Sequence, residues 1–305
     1  MNATPAPQAD QVTTPQGWWW KALVGGVVLW LITAAVTYST QNTNLVPTVI
    51  LLGSFLVPFC VVLLVLERAY GSIDTLRLFA AFFVGGIFGV LGASILESRL
   101  LEPAWWMYFG VGAIEELVKA LVFLVVGASV LPKTARRGAL LGATVGAGFA
   151  AFESAGYAFN ASLTRLGQID LSALLETEAV RGLLTPVGHV LWTAILGAAI
   201  FRAASGDGKY RFTGKVWGAY GLVLLLHALW DSMGFIAGWL AIKLTGGVHY
   251  VLAYGQLLPT AADNAGRIST VIYVIGLALI SWAGIVFLRR WGRAEPGELE
   301  HTVSR

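Results

Sequence analysis

Residues 112–121, GAIEELVKAL, set two adjacent glutamates and a lysine inside a run that is otherwise apolar from residue 104 to 131. Three later apolar runs also carry ionisable side chains: Glu153 in GFAAFESAGY, His189 in PVGHVLWTA, and His227 with Asp231 in LLLHALWDSMG. Residues three or four apart on a helix share a face. Lys119 can therefore reach Glu115 or Glu116, Phe149 lies one turn before Glu153, and His227 lies one turn before Asp231. His189 stands at the same spacing before Trp192 and Thr193. Acids and imidazoles gathered in a low-dielectric site suit hydrolysis. A carboxylate there takes a proton from water, while a second acid or histidine polarises a carbonyl or protonates a leaving amine. The same groups, with one position left open, suit zinc. No Ser–His pairing and no HExxH stand in the chain, which argues against serine-type and ordinary zincin proteolysis.

These side chains need elements to carry them. The chain is 57% hydrophobic and 12% charged, against roughly 45–50% and about 25% in soluble domains. That composition excludes a soluble enzyme and predicts an all-α, polytopic transmembrane helical bundle. A crossing takes about 20 apolar residues. Eight spans follow, at 19–38, 47–66, 76–96, 104–131, 138–159, 184–204, 216–241 and 270–288. The runs are continuous rather than alternating, which rules out a barrel. The domain reading is a polar tail over 1–17, a transmembrane catalytic unit over 18–290 and a second tail over 291–305. The first seventeen residues lack the basic start of a signal peptide.

Lysines and arginines divide by side. One side collects Lys21, Arg68, Arg77, Lys133, Arg136, Arg137, Arg202, Lys209, Arg211, Lys215, Arg289, Arg290, Arg293 and Arg305; the other has Arg99, Arg165, Arg181, Lys243 and Arg267. The rich side is read as cytoplasmic, with both termini there, in the cell membrane. The net charge of +3 is thus a matter of topology, and no nucleic-acid partner is expected. Trp18–Trp20 and Trp105–Trp106 read as interfacial anchors. The outer segments 160–182, with Asp170, Glu176 and Glu178, and 245–267, with His249 and Asp263, read as solvated connections. Cys60 reads as apolar packing.

A charge at the bilayer centre costs about 2.5–3.5 kcal/mol on insertion scales, so the buried set marks either function or a salt-bridge network. Only spans four to seven carry ionisable residues at depth, which places a polar site between them. With a rise of about 1.5 Å per residue, Glu115, Glu153, His189, Asp231 and His227 fall at depths of about 16, 9, 8, 15 and 21 Å from the outer ends of their spans. Four acids then face one lysine and two histidines, so either some acids are protonated or a metal is present. Gly138, Gly142 and Gly146, spaced by four, predict a close helix contact that carries Glu153 to its neighbours.

Four motifs in order on consecutive spans, Glu115-Glu116-x-x-Lys119, Phe149-x-x-x-Glu153, His189-x-x-Trp192-Thr193 and His227-x-x-x-Asp231, resemble the PrsW family of intramembrane proteases, within the superfamily of the CAAX prenyl proteases. The prenyl-protease branch has histidine or arginine where Glu153 stands and usually asparagine where Asp231 stands, so both residues favour the PrsW branch. The resemblance implies a bilayer-embedded endopeptidase that cuts a single-span membrane protein, such as an anti-sigma factor, near the extracytoplasmic face. It implies a catalytic set of Glu115, Glu116, Lys119, Glu153, His189, His227 and Asp231. Glu115 and Glu116 are its candidates to activate water. Glu153, His189 and His227 are its candidate metal ligands, for zinc, with a metal-free mechanism also open. An i,i+4 pair of Glu115 with Lys119 would leave Glu116 as the base. Proton- or metal-ion-coupled transport and a non-catalytic immunity role on the same scaffold are the alternatives.

Overall fold

The computed structural model describes residues 17–69, 72–104, 106–164, 167–247, 251 and 259–291. The tails before residue 17 and after residue 291, Trp105, Arg165 and His249 lie outside the described residues. The helices are α1 (Trp18–Thr40), α2 (Val46–Ala69), α3 (Thr75–Leu100), α4 (Met107–Gly127), α5 (Ala135–Ser162), α6 (Leu171–Leu184), α7 (His189–Ala203), α8 (Gly214–Leu244) and α9 (Pro259–Trp291). Among the described residues the only β pairing is an isolated bridge between Leu163 and Ile169. The protein is an all-helical membrane bundle.

Helix starts follow local chemistry. The side chains of Asp74, Thr134 and Asp170 accept from the backbone N–H three residues on, opening α3, α5 and α6. The Lys133 ammonium donates to the carbonyls of Gly127, Ala128 and Val130 and so closes α4.

Seven segments are long and apolar enough to cross a membrane, with α6 and α7 counted as one segment, Leu171–Ala203. α4, with 21 residues, is long enough, but its three ionisable residues keep it out of that set. It still packs as the eighth element, between α3 and α8. Two expected boundaries shift. α9 begins at Pro259, so the exposed Asp263 sits on a helix rather than in a connection. The segment 160–182 is not a solvated connection either: α6 runs through most of it. Glu178 is buried there, accepting from Trp30 Nε1 at 2.7 Å and Ser54 Oγ at 3.4 Å. Those partners lie on α1 and α2, far away in sequence. Pro186, without an N–H, ends α6 in a short 3₁₀ turn, and His189 becomes the first residue of α7.

α5 is the hub. It packs on α2, α3, α6 and α7, and its closest partner is α7. The glycine stripe explains why. A Cβ at Gly142 or Gly146 would come within 2.9 Å of the carbonyl carbon of Thr193 or His189. Backbone therefore meets backbone, and the α7 start that bears His189 is pressed onto the α5 face leading to Glu153. Around this contact lie buried Leu141, Val145, Trp192, Ile195 and Leu196. Cys60 is buried as expected. α8 has 31 residues, about 46 Å, against a hydrocarbon layer of about 30 Å. Its excess length reconciles the deeper depth counted for His227 with a common site.

Overpacking this seam should destabilise by about 1–3 kcal/mol. Gly142→Val and Gly146→Val are each expected to lower the thermal unfolding midpoint in detergent. Gly156→Ala, at a position with nothing within 4 Å, is expected to leave it unchanged or slightly raised.

Candidate active site

The site is built from charges that must be compensated. On α4, Lys119 is fully buried and lies 2.6 Å from Glu116 Oε1 and 3.4 Å from Glu115 Oε2. The pairing that would have freed Glu116 as the base is thus reversed: the i,i+3 carboxylate takes the closer contact. The ammonium also sits 4.4 Å over the Phe149 ring, which gives that motif residue a packing role. α4 approaches α8 closely because Gly112 faces the Leu224 carbonyl, which a Cβ would meet at 3.0 Å. The approach brings Glu116 Oε1 to 2.9 Å from His227 Nδ1. His227 stacks on Trp192, with centroids 4.6 Å apart and planes at 29°.

The second histidine is held in the same way from the other side. His189 Nε2 lies 3.0 Å from Glu153 Oε2, and its Nδ1 lies 2.9 Å from the Lys119 ammonium. An ammonium only donates, so Nδ1 accepts, and Nε2–H donates to Glu153. Glu153 also pairs with Arg181 of α6, whose Nε donates to Ser154 Oγ at 2.9 Å. The guanidinium lies 4.1 Å over the Tyr157 ring. Arg181 was counted above only as an outer loop charge. Its signal, one helical turn after Glu178, becomes legible only once α6 is recognised as a helix.

All seven expected residues fall in one cluster, but not in equivalent places. Glu115, Glu153, His189 and Asp231 line a cavity of about 150 Å³ together with Tyr157, Arg181, Trp192, Trp230 and Tyr273. Glu116, Lys119 and His227 stand behind its wall, with side chains 0–2% exposed. Tyr157 lines the cavity with its ring under the Arg181 guanidinium.

Among the described residues, Glu115, His189 and His227 bring ligand atoms together, all within 4.8 Å of one another. Glu115 Oε2 lies 3.7 Å from His227 Nε2 and 3.9 Å from His189 Nδ1. Glu153, expected among the ligands, sits instead on the far nitrogen of His189. Two tests favour a divalent cation here. Each histidine has its outer nitrogen on a carboxylate, Glu116 or Glu153, as metal-bound histidines do. And Lys119, shared between Glu116 and Glu115, and Arg181, on Glu153, are two cations against four carboxylates. Asp231 meets neither; it lines the cavity with Glu115, and its Oδ2 lies 3.4 Å from His227 Nε2. Two histidines and a carboxylate form a common catalytic zinc donor set.

The family of PrsW intramembrane metalloproteases matches residues 74–258, more than half of the chain. The chain belongs to this family. It is therefore an intramembrane protease, and the family match spans all seven residues of the cluster. No match is found among curated proteins or among solved structures. PrsW membership agrees with the resemblance drawn from the four motifs and accounts for charged groups deep in a membrane bundle.

Removing one partner of a buried ion pair costs about 3–5 kcal/mol, because the other charge is stranded. Glu116→Gln is therefore expected to destabilise the detergent-solubilised protein more than Glu115→Gln. Adding Lys119→Met to Glu116→Gln should recover part of the loss. The check is a double-mutant cycle on unfolding in mixed detergent.

Proposed function

We propose that the protein hydrolyses a peptide bond of a single-span membrane protein near the extracytoplasmic face, with a divalent metal, zinc, held by Glu115, His189 and His227. The convergence of those three ligand groups beside a cavity within membrane helices carries this reading. A zinc ion there supplies Lewis acidity toward water and the scissile carbonyl. The chain's own residues do the rest. Glu116 accepts from His227 Nδ1 and Glu153 from His189 Nε2, which leaves His227 Nε2 facing Glu115. His189 Nδ1 accepts from Lys119 here and would turn to a metal once that ammonium is held by Glu116 and Glu115 alone. Lys119 compensates Glu116 from behind the wall.

Asp231 is the proposed general base. Its carboxylate lines the cavity and is partly open to it. It takes a proton from the attacking water as oxygen bonds to the carbonyl carbon. It then delivers that proton to the leaving nitrogen as the C–N bond breaks. Trp230 and Tyr273 on the cavity wall offer apolar surface to the substrate segment.

The proposed topology puts both termini in the cytoplasm of a cell membrane. Arg68, Arg77, Lys133, Arg136, Arg137, Arg202, Lys215, Arg289 and Arg290 lie at helix ends or turns that the alternating helices bring to one side. Glu115, eight residues into α4, is then about 12 Å from that helix's outer start. This depth suits cleavage close to the outer surface. An anti-sigma factor with one membrane span is a substrate of the proposed type.

The test is cleavage of co-reconstituted single-span proteins in liposomes. Glu115→Gln and His227→Ala should abolish cleavage, and Asp231→Asn should lower kcat by about 10²–10⁴-fold. A chelator should abolish wild-type cleavage and added zinc should restore it. Cleavage that survives both the chelator and His227→Ala would refute the proposal.

A further inference from the structure

Arg181 is a cation of the site that lies on α6, a helix bearing none of the four motifs, and the mechanism above gives it no task. Its contacts are specific. The guanidinium meets Glu153, Ser154 and Tyr157, three residues on consecutive turns of α5. Its Nε and its terminal nitrogen are used on different partners, which fixes the plane of the group as well as its charge. α6 is itself pinned three residues earlier, where the buried Glu178 accepts from Trp30 and Ser54. The arginine is thus presented by an element anchored on α1 and α2.

What Arg181 touches defines what it does. Glu153 Oε2 takes both the arginine and His189 Nε2. The arginine side chain is 25% exposed and that of Glu153 is 15% exposed, so the pair stands at the cavity wall rather than in the packed core. Without a second partner, a carboxylate in that wall is free to turn toward cavity water or toward the Lys119 side of the cluster. With one, it has a single orientation, and so has the imidazole that donates to it.

We propose that Arg181 is a positioning residue for the hydrolytic site. Held by Ser154 and Tyr157, its guanidinium fixes the Glu153 carboxylate, and Glu153 in turn fixes the ring of His189 with Nδ1 on the side of Lys119 and Glu115. Its effect on metal binding is exerted through Glu153, without contact with metal or substrate. The inference rests on the metal reading proposed above, and the experiment separates the two.

The experiment measures zinc affinity of the full-length protein in detergent, by competition with a chromophoric chelator, together with kcat and KM in liposomes. Arg181→Gln should weaken zinc binding by about 10–100-fold, as loss of an outer partner of a metal-bound histidine does. It should lower kcat while KM stays near wild type. Arg181→Lys keeps the charge and should lie closer to wild type than the glutamine variant does. Arg181→Gln combined with Glu153→Gln should be no worse than Glu153→Gln alone, because the arginine acts through that carboxylate. Lys209→Gln, at an exposed position, is the control. If Arg181→Gln fails to fold, Ser154→Ala removes the Nε partner and should weaken zinc binding in the same direction.

Additive losses in the double variant would overturn the proposal. So would a raised KM with zinc affinity unchanged, which would make Arg181 a substrate contact. Unchanged zinc affinity in Arg181→Gln, or in Ser154→Ala where that variant must stand in, would overturn it as well. A wild-type protein that binds no zinc would overturn the metal reading and this inference together.

Discussion

A charge in hydrocarbon persists only where another group answers it, and this bundle is arranged around that demand. Lys119 has no exposed surface, and everything near it follows from its need for acceptors: Glu116 at 2.6 Å, Glu115 at 3.4 Å, His189 Nδ1 at 2.9 Å and the face of Phe149. Those partners come from α4, α5 and α7. Glu116 in turn ties the set to α8 through His227. One buried ammonium therefore joins four helices. The arginine on α6 repeats the device at the cavity wall. Asp231, the acid of the cluster that neither cation meets, lines the cavity beside Glu115 and Glu153.

Helix packing sets how closely these groups meet. Side chains between α5 and α7 would hold the axes apart, and His189 would then lie too far from Glu153 to donate to it. Gly138, Gly142 and Gly146 remove that spacing, and Gly112 does the same between α4 and α8. Without a hydrophobic force between helices in lipid, close backbone contact and interhelical polar bonds supply the attraction. The same glycines that stabilise the bundle thus set the distances of the site. The break at Pro186 adds the last degree of placement, since it starts α7 at His189.

Much of this was legible in the sequence. Continuous apolar runs gave the spans, because a membrane helix writes its burial as composition. Deep ionisable residues gave the cluster, because each one has a cost that needs a reason. Spacing by three and four gave the shared faces. What stayed hidden depended on partners far apart in the chain. Glu178 looked like a loop acid, since nothing nearby foretells Trp30 and Ser54. Arg181 looked like a surface charge for the same reason. The choice between Glu115 and Glu116 as partner of Lys119 turned on side-chain geometry within one turn, which spacing alone cannot rank. Which acid meets which nitrogen of His189, Glu153 at Nε2 and Glu115 nearer Nδ1, was hidden as well, because a motif names residue types and not the ring nitrogen each one meets.

The central claim is that Glu115, His189 and His227 form one metal centre. Its most direct test is the metal content of purified, full-length protein, measured by elemental analysis beside a His189→Ala, His227→Ala double variant of confirmed fold. The account predicts about one zinc per chain in the wild type and almost none in the variant. Wild-type protein that is fully active yet free of metal, or a double variant that keeps the full metal content, would contradict it.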